Sequence, residues 1–84
     1  MRHVVLYSRP DCCLCDTARE VITRVGSRHP SAFALEERDI ETDESLFRAY
    51  LERIPVITID GEEAFEFAVE EQALERRLGI VRTG

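Results

Sequence analysis

Tyr7-Ser8-Arg9-Pro10-Asp11-Cys12-Cys13-Leu14-Cys15 is the stretch on which the reading of this chain turns. The residues before it, 3–8, are apolar and β-branched enough for a buried strand, and Arg9-Pro10-Asp11 supplies a turn. After it, Leu14, Ala18, Val21, Ile22 and Val25 recur near helical spacing over residues 13–28, while Asp16, Arg19, Glu20 and Arg24 can face water. The cysteines therefore fall where a strand gives way to a helix. In Cys-x-x-Cys at a helix start, the first sulfur can sit over unpaired backbone N–H groups, with the second one turn inside and within reach of it. Such a pair can open and close a disulfide. Its reactivity depends on ionisation: a thiol with a pKa of about 8.5 is only about 3% thiolate at neutral pH, and one lowered to about 6 is roughly 90%.

Working outward, Gly26 and His29-Pro30 mark the end of the first helix, and residues 33–40 alternate apolar and charged side chains as a second strand would. Asp43, with Thr42 as the competing cap, opens a helix through Leu46, Phe47, Tyr50 and Leu51 that Pro55 ends. Val56-Ile57-Thr58-Ile59 is a strand, Asp60-Gly61 a turn pair, and residues 64–67 its antiparallel partner. A last helix over residues 69–78 turns Ala73, Leu74 and Leu78 inward and stops at Gly79. The order β-α-β-α-β-β-α predicts an α/β fold with a four-stranded mixed sheet. Its first crossover is parallel and right-handed, its final pair is a hairpin, and helices cover both faces. Cys12 then belongs at an exposed rim, at the carboxyl end of the first strand.

Composition bounds the function. With 84 residues, 44% of them hydrophobic, the chain is expected to form one small domain spanning residues 1–84. A net charge of −6 argues against a nucleic acid held mainly through its phosphates. No run of about 18 apolar residues offers a membrane span, and the N-terminus has no signal-peptide pattern, so a cytoplasmic protein with no membrane partner is expected. All 11 basic residues are arginine, a bias to which no function is assigned. Three cysteines within four residues cannot staple distant parts of a fold, and their odd number leaves one thiol over, which suits a reducing compartment.

Together with Ile54-Pro55-Val56 before the third strand, the Tyr7 to Cys15 stretch resembles the glutaredoxin branch of the thioredoxin superfamily, and the likeness covers nearly the whole chain. In that family a tyrosine and a basic residue precede Cys-Pro-Tyr-Cys at the spacing of Tyr7 and Arg9. The resemblance implies that Cys12 is the attacking thiol, Cys15 the resolving thiol and Pro55 a cis proline facing them. It also implies that Ile54 offers its backbone to an extended substrate. Arg9 would stabilise a thiolate or meet a substrate carboxylate. Tyr7 is open to two readings, packing and substrate contact.

Departures from the family pattern are equally specific. Glutaredoxins that bind glutathione carry a Gly-Gly pair near the last helix, where this chain has Phe65-Glu66-Phe67-Ala68-Val69-Glu70-Glu71; Glu70 or Glu71 remains to hold an α-amino group. Leu14 replaces the motif tyrosine, and Leu6 stands where thioredoxins have a buried aspartate. Asp11 and Asp16 oppose thiolate formation at Cys12. Cys13 is a spare thiol, an alternative attacking sulfur or a third metal ligand. His3 and His29 have no ligand spacing to the cysteines and read as solvated or packed, so no metal site is expected. Phe47, Tyr50, Phe65 and Phe67 read as core and sheet packing, and Glu36-Glu37-Arg38-Asp39 and Glu70-Glu71 as solvated faces.

The function expected from all this is a monomeric thiol-disulfide oxidoreductase with no bound cofactor. It acts on a disulfide-bearing protein or small thiol, and glutathione or a dithiol reductase returns it to the dithiol form. The alternatives are a non-catalytic thioredoxin-fold binding module and an iron–sulfur cluster carrier, the latter needing ligands from a second chain.

Overall fold

The computed structural model describes residues 2–80. In chain order the elements are β1 (Arg2–Ser8), α1 (Cys13–Arg28), β2 (Phe33–Asp39), a 3-10 turn (Ile40–Thr42), α2 (Glu44–Tyr50), β3 (Val56–Ile59), β4 (Glu62–Glu66) and α3 (Glu71–Arg77). They form an α/β fold around one four-stranded mixed sheet, ordered β2-β1-β3-β4. β1 runs parallel to β2 and antiparallel to β3, and β3 and β4 form the hairpin. No helix among the described residues is long and apolar enough to cross a membrane.

The core lies between one face of the sheet and two helices. Strand alternation points Val4 and Leu6 of β1 to that face, together with Ile57 and Ile59 of β3. Ala18, Ile22 and Val25, spaced as a helical stripe, bring α1 down on them, and Leu74 and Leu78 bring the α3 segment. Full burial of each large aliphatic side chain contributes about 1.5–3 kcal/mol, so this stripe dominates the packing. Arg28 pairs with Glu71, and His29 Nε2 lies 3.2 Å from Glu75 Oε2, joining the end of α1 to α3 across the top of the core. The opposite face is covered more thinly: α2 has no fully buried residue, and its Tyr50 ring meets Tyr7 of β1 with centroids 4.8 Å apart.

Where element boundaries differ from the sequence reading, local chemistry explains the difference. α1 spans the expected residues 13–28 and runs through Gly26, where the Phe33 ring fills the space, 3.3 Å from where a Cβ would lie. The 3-10 turn, not anticipated, is held by Asp39, whose side chain accepts from the Glu41 N–H at 2.8 Å and whose carbonyl accepts from Thr42 Oγ1 at 2.7 Å. Asp43 caps α2, accepting from the N–H groups of Ser45 and Leu46, so Thr42 is not the cap. α2 ends at Tyr50, where the N–H groups of Arg53 and Ile54 both return to the Tyr50 carbonyl, rather than reaching Pro55. Asp60 (φ 52°) and Gly61 (φ 87°) are both left-handed, the geometry of a tight two-residue hairpin turn. β4 therefore begins at Glu62, two residues before the expected position, and a register shift near Ile57 and Thr58 lets it end at Glu66. α3 begins later than expected, at Glu71, and Val69 is buried in the connection before it.

Two stability effects are expected. Leu74→Ala empties a fully buried position where α3 meets the core, and should lower unfolding free energy by about 2–5 kcal/mol in denaturant titration. Asp43→Ala removes two cap hydrogen bonds and should cost about 1 kcal/mol, with Thr42→Ala clearly smaller in the same assay.

Candidate functional site

Strand register gathers three chain segments at one end of the sheet. Tyr7 of β1 pairs with Val56 of β3, and Val56 pairs with Glu66 of β4. The chain leaving β1, the chain entering β3 and the chain leaving β4 therefore share this rim, and α1 starts there. Cys12 is the N-cap of α1, with extended backbone (φ −102°, ψ 107°). Its sulfur accepts the Cys15 N–H at 3.2 Å and its carbonyl accepts the Asp16 N–H at 3.1 Å. Cys12 and Cys15 are joined as a disulfide with Cα atoms 5.2 Å apart, inside the usual window for such bonds. Cys12 is half-buried and Cys15 fully buried, whereas Cys13 is exposed and unbonded. The arrangement offers one sulfur to solvent over the orphan N–H groups of a helix start, with a second sulfur behind it.

The other sequence-derived residues lie around this pair in distinct ways. Pro55 is buried directly before β3, and the Ile54–Pro55 peptide bond is cis. Ile54 donates its N–H to the Tyr50 carbonyl at 3.0 Å, so only its carbonyl can be offered to an incoming strand. The Tyr7 ring packs on that of Tyr50, with centroids 4.8 Å apart. The Arg9 guanidinium is held by Glu41 at 2.8 Å, so its charge is shared with a carboxylate before any thiolate or substrate is considered. Among the described residues, no three His, Cys, Asp or Glu side chains group to hold a metal ion. His3 instead meets Glu36 at 3.1 Å.

Two features of the rim escape the sequence reading. Phe67 is not packed into the sheet: it follows β4 in left-handed backbone (φ 68°) and is 49% exposed. A non-glycine residue held there costs on the order of 1 kcal/mol, and the conformation is kept by its N–H, which donates to the Pro55 carbonyl at 2.8 Å. Leu14, between the cysteines, is 55% exposed. No periodic signal marks Phe67, because β4 ends at Glu66 and the left-handed backbone of Phe67 takes it out of the alternation.

One arginine gathers Asp16 of α1 and Glu37 of β2, while Asp11 is exposed. Arg19 donates to Asp16 Oδ1 at 2.8 Å and grips both oxygens of Glu37 on β2, while buried Ser8 donates to Glu37 Oε2 at 3.0 Å. The Asp16 charge is thus met by a cation, which reduces its opposition to a charged sulfur at Cys12. The Arg19 hydrogen bond is the main reason the Glu37 carboxyl titrates below its ordinary value of 4.5, with Ser8 adding to it against a partial burial that works the other way. A depressed carboxyl stabilises the fold above its unfolded value and loses that contribution as pH falls through the folded value. Glu37→Gln should therefore flatten the decline of Tm below about pH 4.5 and leave a uniformly lower Tm near neutrality.

The comparisons with known proteins agree with this geometry. The family model for the glutaredoxin-like domain (DUF836) matches residues 3–79. A search of curated proteins finds no match. Among solved structures, the structural-genomics target protein XcR50 from X. campestris is 29% identical, with TM-score 0.74 over 90% of this chain and 95% of its own. Protein Ne2328 from Nitrosomonas europaea is 26% identical, with TM-score 0.75 over 90% of this chain and 89% of its own. A thioredoxin mutant from Halobacterium salinarum, 21% identical with TM-score 0.67 over 92% of this chain and 71% of its own, shares the fold. With a rim cysteine pair on a thioredoxin-like sheet and a family match over nearly its full length, the chain belongs to the glutaredoxin-like domain family.

Proposed function

We propose that the chain is a small thiol-disulfide oxidoreductase working through Cys12 and Cys15. The observation that carries the reading is the graded exposure of a bonded pair: Cys12 half-buried at a helix N-cap and Cys15 wholly buried behind it, with Cα atoms 5.2 Å apart. In the reduced enzyme the Cys12 thiolate attacks a substrate disulfide, forming a Cys12–substrate disulfide and releasing one substrate thiolate, which takes up a proton. Cys15 then loses its proton and attacks the Cys12 sulfur, which closes the Cys12–Cys15 bond and releases the second substrate thiol. Two electrons pass from the pair to the substrate.

No resident metal or organic cofactor enters this cycle. A dithiol reductase, or glutathione, must return the pair to the reduced form, and the cycle suits a reducing compartment such as the cytoplasm. Ile54 would contribute its carbonyl to an extended substrate, and Pro55 would shape the floor beside the sulfurs. Arg9 would act only after exchanging Glu41 for a substrate carboxylate. Cys13 is exposed and takes no part in these steps.

The test uses the reduced protein and a disulfide substrate. Cys12→Ser should abolish turnover, and Cys15→Ser should accumulate an enzyme–substrate mixed disulfide visible by mass spectrometry; full turnover in Cys12→Ser would refute the assignment. Alkylation of Cys12 by iodoacetamide should show a pH midpoint below the free-thiol value of about 8.5, as orphan N–H groups and the helix dipole favour the thiolate. An ordinary midpoint with no reduction of any disulfide would instead leave a binding module.

A further inference from the structure

The rim that carries the cysteine pair is poor in the groups that recognise an anionic small thiol. Apart from the first turn of α1, three backbone N–H groups in the segments entering β3 and leaving β4 are engaged within the chain. Ile54 donates to the Tyr50 carbonyl at 3.0 Å, Phe67 to the Pro55 carbonyl at 2.8 Å and Ala68 to the Glu66 carbonyl at 2.8 Å. The guanidinium groups nearest in the chain to this rim are likewise committed: Arg9 to Glu41, Arg19 to Asp16 and Glu37, Arg53 to Glu63 and Glu66. Asp11, Glu66 and Glu70 are exposed there, on a chain of net charge −6. A carboxylate-bearing ligand would have to break an ion pair and approach like charge.

The same rim exposes apolar surface that the fold does not need. Of the three large hydrophobic side chains most exposed among the described residues, two are here: Leu14 between the cysteines and Phe67 just past β4. Phe67 is also held in left-handed backbone, where a side chain is a liability to the fold. The ring is thus presented to solvent by a strained residue fastened to Pro55, on the opposite side of the β1–β3 strand ends from β2. An apolar contact at Leu14 and a second at Phe67 leave the half-buried Cys12 sulfur as the reacting atom on the same rim.

We propose that the site takes a polypeptide disulfide in preference to glutathione disulfide. Its cysteine is flanked by an apolar residue in a neutral or basic segment, and Leu14 and Phe67 are the docking side chains. This rests on the oxidoreductase reading and names its substrate class. Charge complementarity selects the segment: an acidic rim with paired cations attracts a basic chain and repels an anionic tripeptide. The exchange is the one already written, with the polypeptide disulfide leaving as a dithiol.

The test compares two probes with the reduced protein: glutathione disulfide, and a symmetrical disulfide of a short peptide with leucine next to its cysteine and two arginines beyond. The peptide should react at least about tenfold faster at low ionic strength, with the margin shrinking as salt is added. Leu14→Ser and Phe67→Gly should each slow the peptide reaction roughly threefold to tenfold relative to the glutathione disulfide reaction. Dividing every rate by the same variant's iodoacetamide rate removes changes in thiolate reactivity. Phe67→Gly also relieves a left-handed residue, so misfolding does not explain a loss, and circular dichroism checks it. If glutathione disulfide reacts as fast as the peptide, or if both variants keep the wild-type ratio, the substrate class is wrong while the oxidoreductase reading stands. If neither disulfide is reduced, both fall.

Discussion

Everything at the rim depends on the seating of α1 upon β1 and β3. Ala18, Ile22 and Val25 form one stripe, and Val4, Leu6, Ile57 and Ile59 form the surface that receives it. A helix locked at three successive turns cannot rotate or slide, so its first turn is carried to a set place at the end of β1. Cys12 sits at that first turn as the cap, and Cys15 one turn inward is drawn into the packed layer because it continues the same buried stripe. The difference in exposure between the two sulfurs, on which the proposed order of attack rests, is thus a by-product of hydrophobic packing. No special contact to the sulfurs is needed to produce it.

Charge around the pair follows a second rule, that nearly every cation close to the site is already matched. Arg19 spans Asp16 and Glu37, and Arg53 spans Glu63 and Glu66 while lying 5.6 Å over the Tyr50 ring. Burial first, and then the charge of Glu63, raises the Tyr50 hydroxyl above its ordinary range. These exposed pairs contribute little stability each, since solvent screens them. Their larger consequence is on recognition: arginines occupied by neighbouring carboxylates are not available to foreign ones, and what the rim has left to offer is Leu14, Phe67 and the sulfur itself. A chain of net charge −6 with this rim is built for a different partner from one whose arginines stand open.

Several parts of this picture were legible in the residues alone. The bounds of α1 and β3, the Asp43 cap, the parallel first crossover and the terminal hairpin follow from local signals: apolar spacing, a side-chain acceptor ahead of a helix, an Asp-Gly pair. The cysteine motif at a strand-to-helix step was legible for the same reason, since strand, turn and helix each announce themselves within a few residues. Alternation from Phe65 points to packing for Phe67 as well, but β4 ends at Glu66 and the left-handed backbone at Phe67 turns its ring out to solvent. As a sequence Glu70-Glu71 reads as a solvated face, yet Glu71 pairs with Arg28 across 43 residues, a meeting that no local pattern encodes.

The sequence by itself determined the element order, the place of the cysteines at the start of a helix, and the acidic balance of the chain, because these depend on near neighbours and on composition. Only the tertiary structure decided which backbone donors remain available at the rim, which arginines are already paired and which aromatic ring is left in solvent. Those outcomes depend on what separate segments place opposite one another: Pro55 beside Phe67, Glu37 against Arg19. Hydrogen bonds and ion pairs act over a few ångströms in space irrespective of separation along the chain, so their pattern exists only once the sheet has brought those segments together.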